Sequence, residues 1–173
     1  LELNAIGLPE ANWDNYATAF PSLAEYEATS GGGDDLPKGD KVPDGRYQLQ
    51  LVSISDPMKN QFPDPRNKNP KPIVFTYWSV VDADDPNDVG RVLRKKLTYS
   101  GHPKSAAYPF LELAYGGSIP PDVQPSFSKM RDMQIEVVLI TRRGHKDGST
   151  YEFQAWEAMR GVEDNRRKPV IPF

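Results

Sequence analysis

Catalysis needs a nucleophile, an acid–base pair or a metal cage, and this chain supplies few of the parts. Its only histidines are His102 and His145, and it has no cysteine. The latter removes disulfides, thiolate metal sites and thiol nucleophiles. No GxSxG, Walker-type loop or HExxH pattern occurs. Asp82, Asp84, Asp85 and Asp88 suggest calcium, but their loop lacks the Gly and the closing Glu that an EF-hand requires. That run reads as a solvated turn, and Glu112 as an exposed helix residue. The chain therefore reads as a binding protein with no catalytic residue, no metal and no cofactor.

A different chemistry is better supplied. Holding a single nucleic-acid strand takes cations for phosphates and aromatic faces for bases. Residues 73–81, IVFTYWSVV, offer Phe75, Tyr77 and Trp78. Residues 91–100, RVLRKKLTYS, offer Arg91, Arg94, Lys95, Lys96 and Tyr99. By strand alternation Arg94 and Lys96 share one face with Thr98, and Lys95, Leu97 and Tyr99 take the other. Arg142 and Arg143 end a later strand and Lys146 follows in its loop. Lys59, Arg66, Lys68 and Lys71 lie in a Pro-rich segment. The expected phosphate contacts are Lys59, Arg66, Lys68, Lys71, Arg94, Lys96, Arg142, Arg143 and Lys146. The expected stacking residues are Tyr77, Trp78 and Tyr99. Tyr77 and Trp78 point to opposite faces, so one of them belongs to the core.

These residues must be positioned by strands. The chain of 173 residues has 17 prolines and 13 glycines, a turn-rich composition that suits short strands rather than a helical bundle. RYQLQLVSIS (46–55) alternates apolar and polar residues after an Asp-Gly turn. Residues 56–72 form a long loop, a length usually tied to function or mobility. IVFTYWSVV is apolar on both faces and reads as a central strand. The third strand covers 91–100, a helix falls within 105–115, and MQIEVVLITRR (133–143) is the fourth strand. GHKDGS (144–149) is a hairpin loop before TYEFQAWEAM (150–159), where Tyr151, Phe153 and Ala155 share one face and Trp156 takes the other. The order β-β-β-α-β-β predicts an all-β fold with small α content, a five-stranded OB-like barrel. That architecture binds oligonucleotides on strands 2 and 3 and between the 1–2 and 4–5 loops.

The net charge of −3 is unevenly spread. Residues 1–40 carry eight acids against Lys38 alone, and the rest of the chain is mildly basic. The expected organisation is an acidic arm and Gly-rich hinge (1–35), the barrel (36–160) and a tail (161–173) ending in VIPF. Pro9-Glu10 would open a short helix through Ala19. The arm's apolar anchors, among them Trp13, Tyr16 and Phe20, are expected to dock on the body or on a neighbouring subunit, giving a homo-oligomer. No stretch of about 18 apolar residues is present, so no membrane span is expected. No signal-peptide pattern opens the chain.

LPKGDKVPDGRYQLQLVSIS, VGRVLRKKLTYSG, YGGSIP, KMRDMQIEVVLI and DGSTYEFQAWEA, together spanning about residues 36–160, resemble a phage-encoded domain family. Its members sit among replication and recombination genes and are taken to be OB-type single-stranded DNA-binding proteins. The long Pro-rich loop and the arm depart from that pattern. Ile171, Pro172 and Phe173 resemble the tip of bacterial single-stranded DNA-binding proteins, which recruits replication and repair partners. Arg166, Arg167 and Lys168 stand where that family has acids. The resemblance implies a phage protein that coats single-stranded DNA in the cytoplasm of an infected bacterium.

The contrasting expectation is a structural phage protein, a capsid decoration or connector subunit whose arm and tail are clasps. Convergence of Lys68, Lys71, Arg94, Lys96, Arg142 and Lys146 on one face beside an exposed aromatic would favour DNA binding. Scatter would favour the scaffold.

Overall fold

The computed structural model describes residues 7–16, 36–60 and 71–162. Five antiparallel strands form its body: β1 (Gly45–Ile54), β2 (Ile73–Ala83), β3 (Val92–Thr98), β4 (Gln134–Lys146) and β5 (Ser149–Gly161). One short helix, α1 (Tyr108–Ala114), lies between β3 and β4. The element order is the expected one, with the fourth and fifth strands longer than their apolar patterns. They continue through GHKDGS as far as a two-residue turn, Asp147-Gly148, in which both residues have positive φ (52° and 78°). Asp-Gly in that conformation matches the right-handed twist of the flanking strands.

The barrel expectation is overturned. The strands lie in one sheet of order β3-β2-β1-β4-β5, so β3 and β5 are its two edges and no ladder joins them. The reason is visible at both edges. Asp40 donates its N–H to the Val92 carbonyl (2.7 Å) and accepts the Val92 N–H on its carboxylate (2.9 Å), which occupies the start of β3. A Cβ on Gly39 would stand 2.8 Å from the Arg94 backbone nitrogen, so only glycine permits this approach. Farther along, the Lys95 ammonium sits 5.5 Å from the centre of the Trp156 ring, and side chains rather than backbone bonds fill the seam. On β5 the register slips between its pairings with Glu136 and Val138, and Ala158 adopts a left-handed φ of 51°. Such a bulge bends a strand and ends regular pairing.

The sheet curls around a core that Trp78, Leu49, Leu51, Ile135, Val137 and Leu139 supply from its inner face. Phe110 and Leu111 of α1 close that core from the side. Trp156 joins it at the seam, 5.9 Å from Trp78 and 6.1 Å from Phe110 between ring centres.

The described part of the arm folds onto its own body. Within residues 7–16 the expected helix is a single 3-10 turn at Trp13–Tyr16, and its end at 17–19, with Phe20, lies outside the described residues. Tyr16 is buried against Tyr99 and Phe127, and its hydroxyl donates to the Ser55 carbonyl. Ser126 donates to the Tyr16 carbonyl and Ser53 to that of Pro9. Residues 42–44 then cross to the far side of the sheet. There the Asp44 carboxylate accepts from the Thr141 N–H (2.7 Å) and, with the Val42 carbonyl, from the Gln154 amide. These donors hold the Asp44 carboxyl below its ordinary range, the Gln154 bond contributing most.

Candidate nucleic-acid interface

The three expected stacking residues are all in the interior. Trp78 and Tyr77 are both 0% exposed, and Tyr99 is 3% exposed. Tyr77 and Trp78 stand on opposite faces of β2, as alternation requires, yet both are covered. Trp78 faces the core and donates its indole N–H to Thr76 (2.8 Å). Tyr77 points outward but lies beneath residues 36–40, where its hydroxyl donates to the Pro37 carbonyl (2.7 Å). Burial pushes the Tyr77 hydroxyl up in pKa, against the opposing pull of Arg94. Tyr99 packs edge-on against Phe127 and Tyr16. No base can reach any of these three rings in this conformation.

The expected cations fall in three places. Lys59 and Lys71 are exposed at the base of the long loop, just beyond the Met58–Ile73 bridge. Arg94 and Lys96 lie on the outer face of β3, where Arg94 stacks over Phe75 (4.5 Å) and donates to the Pro37 carbonyl, while Lys96 is exposed. Arg142, Arg143 and Lys146 are exposed on the distal β4–β5 hairpin. Strand direction puts the loop base and the hairpin tip at opposite ends of the sheet, so Lys71 does not form one patch with Arg142 and Lys146. Arg66, Lys68, Ile171, Pro172 and Phe173 lie outside the described residues.

The exposed aromatic pair is elsewhere. Tyr151 and Phe153 on β5 are 49% and 44% exposed, with ring centres 5.8 Å apart. β5 pairs so that Phe153 stands opposite Arg142 and Tyr151 opposite Gly144, and directly opposed residues share a face. Tyr151, Phe153, Arg142 and Lys146 therefore occupy the outer face of the hairpin together. The absence of a side chain at Gly144 makes this possible, because a Cβ there would fall 2.3 Å from the Tyr151 ring. Sequence reading found the alternation of Tyr151 and Phe153 but not its phase. The signal was available in the pairing of a strand glycine with an aromatic across the hairpin, once the turn is centred on Asp147-Gly148.

The hairpin is not a bare positive surface. Arg142 donates twice to Glu157, both bonds at 2.7 Å, which lowers the Glu157 pKa and raises that of Arg142. Arg143 stands 3.8 Å from Glu152. Lys146 makes no ion pair among the described residues. The Lys95 side chain reaches the Trp156 ring on β5, and Lys96, next along β3, is exposed on the opposite face of that strand.

Among the described residues no group of three or more His, Asp or Glu side chains is placed to hold a metal. A shallow cleft of about 280 Å³ lies between α1 and β5, lined by Pro109, Glu112, Leu113, Trp156 and Met159 among others. No helix of the described residues is long and apolar enough to cross a membrane. The chain matches no family model, and no curated protein or solved structure is significantly similar to it. The likeness to the phage family thus rests on the turns and strand patterns alone.

Proposed function

We propose that this chain binds single-stranded DNA on the outer face of the β4–β5 hairpin, in the replication or recombination setting that the phage resemblance implies. The observation that carries the reading is the exposed pair Tyr151 and Phe153 standing beside Arg142 and Lys146. Two adjacent rings with cations on the same face are what successive bases and their phosphates require. In this reading Tyr151 and Phe153 each stack a base, while Lys146, and Arg142 after exchanging Glu157 for phosphate, neutralise the backbone.

Fluorescence anisotropy with a labelled poly-dT strand of about 30 nucleotides, long enough for several binding sites, tests it against a duplex control. Salt-sensitive binding to the single strand is expected. Stacking contributes about 1–3 kcal/mol per base. Tyr151→Ala and Phe153→Ala should therefore each weaken binding about 5-fold or more. Absence of binding at low salt by the full chain would overturn the reading.

A second reading, a structural phage subunit that grips other proteins, is favoured by the scatter of the cations and by the carboxylates that pair Arg142 and Arg143. On that reading the aromatic pair is a protein contact, and the anisotropy experiment returns no binding.

A further inference from the structure

We propose that Lys95 is a covalent modification site, an amine that activated acyl donors (acyl phosphates and thioesters) acylate ahead of its exposed neighbour Lys96. The proposal concerns the seam between β3 and β5 and stands independently of the DNA reading, which concerns the outer face of the hairpin.

Lys95 stands on the inner face of β3 between Leu93 and Leu97, both buried. Every other described lysine is exposed, and Lys95 alone is half-buried. Its stem lies along apolar surface, and its ammonium ends 5.5 Å from the centre of the Trp156 ring. Trp156 is itself one of three packed rings, with Trp78 and Phe110. Across the ladder stands Thr76, whose hydroxyl already donates to the Lys95 carbonyl (2.7 Å) and accepts the Trp78 indole N–H (2.8 Å). No carboxylate among the described residues pairs with the ammonium. Glu112 of α1 borders the cleft beside Trp156 without pairing with Lys95, and Glu157, next to Trp156 on β5, is bound to Arg142 on the outer face. The ammonium still reaches solvent, since the one fully enclosed side-chain polar atom without a partner among the described residues is Gln134 Oε1.

These surroundings favour the neutral amine. An ammonium that has lost part of its hydration and gained only a ring face is penalised against the free base. Burial accordingly holds the Lys95 pKa below the ordinary lysine value, and no charged neighbour contributes. The free amine is the nucleophile, and desolvation is one way in which lysines are activated. Its lone pair attacks the acyl carbon and the N–C bond forms. The bond to phosphate or thiolate breaks, that group leaves with its electron pair, and the surplus amine proton passes to water. The product is a neutral amide, so acylation removes a charge from the apolar seam. Lys96 provides the contrast one residue along, since it points to the opposite face of β3 and stands in water.

The two neighbours allow a comparison within one chain, with no variant that must fold. The full chain is treated with limiting acetyl phosphate near neutral pH, quenched at intervals and mapped by peptide tandem mass spectrometry. Lys95→Arg and Lys96→Arg chains assign the adjacent sites. Lys95 should be acetylated about 3-fold faster than Lys96, or more. That ratio should fall as pH rises past the ordinary lysine range, where both amines are free and access alone decides. In urea the two rates should converge, because the seam is gone. A Lys95 rate at or below that of Lys96 in the folded chain near neutral pH would overturn the proposal, since burial would then shield the amine more than it activates it. A lead that persists unchanged in urea would also overturn it, by assigning the reactivity to local sequence. So would a lead that is the same at neutral and alkaline pH, by assigning it to access rather than to the free amine.

Discussion

Tyr151 lies over Gly144 because a strand glycine leaves bare backbone that a ring across the ladder can cover. A methyl group at position 144 would collide with that ring, whereas a strand prefers alanine to glycine on entropic grounds. Gly144→Ala should thus leave the thermal midpoint nearly unchanged while displacing Tyr151. Its poly-dT affinity should fall about 5-fold or more, toward that of Tyr151→Ala, if each stacked base contributes about 1–3 kcal/mol. Unchanged affinity together with a moved tyrosine would separate the ring from binding. Lys95 shows the opposite balance. Its ammonium sits over Trp156, forms no ion pair among the described residues, and is held below the ordinary lysine pKa by burial. A lysine depressed in the folded state binds fewer protons there than when unfolded, so stability should rise as pH climbs from its folded value toward the unfolded one. Lys95→Met keeps the chain volume and removes the buried charge, at the loss of a cation–π contact that is itself about 0.5–1 kcal/mol at an exposed site. The variant should match or exceed the parent's thermal midpoint near neutral pH, by roughly 2–4 °C per kcal/mol gained. It should also lack the alkaline rise. A lower midpoint would mean that the cation–π contact outweighs desolvation.

At the scale of elements, the strands were legible in sequence and their partners were not. Alternation placed every strand to within a few residues, since side-chain period depends only on local backbone geometry. IVFTYWSVV, apolar on both faces, was read as a central strand and does lie between β3 and β1, but what covers Tyr77 on its outer side comes from residues 36–40, far away in sequence. That is why the pairing of Tyr77 with Trp78 misled: strand alternation forces them apart, yet a second layer buries both. The phase of β5 was similarly hidden, because Tyr151 and Phe153 on one side and Trp156 on the other are equally aromatic. The 3-10 turn at Trp13–Tyr16 belongs to the same scale. Its Tyr16 ring fills a gap between Tyr99 and Phe127, and its hydroxyl is bonded to Ser55. Tyr16→Phe should cost about 1 kcal/mol, the net value of one hydrogen bond. Tyr16→Ala should cost about 3 kcal/mol or more, as for other large-to-small changes of aromatic core residues. Chemical denaturation of both variants checks this. A cost near zero for the alanine variant would show that the turn is not part of the folded unit.

For the whole molecule, the strand order was recoverable only as far as the sequence order of elements. Closure depends on whether the two edge strands meet, and here Asp40, Lys95 and Trp156 stand between them. The consequence reaches function through charge. A closed groove lined by all the expected cations would bind DNA with steep salt dependence, whereas the observed face gathers few. Lys146 makes no ion pair among the described residues, and Arg142 must first release Glu157. Each phosphate neutralised on a single strand contributes about −0.7 to the slope of log affinity against log salt. About two such contacts should give a slope near −1.4, and Lys146→Ala should reduce its magnitude by about 0.7. Anisotropy titrations at several salt concentrations measure both. A slope much steeper than that, and insensitive to Lys146→Ala, would move the phosphate contacts off the hairpin and toward the Pro-rich loop that bears Arg66 and Lys68. A slope near zero would remove phosphate from the interface altogether and leave the Tyr151–Phe153 face to a protein partner.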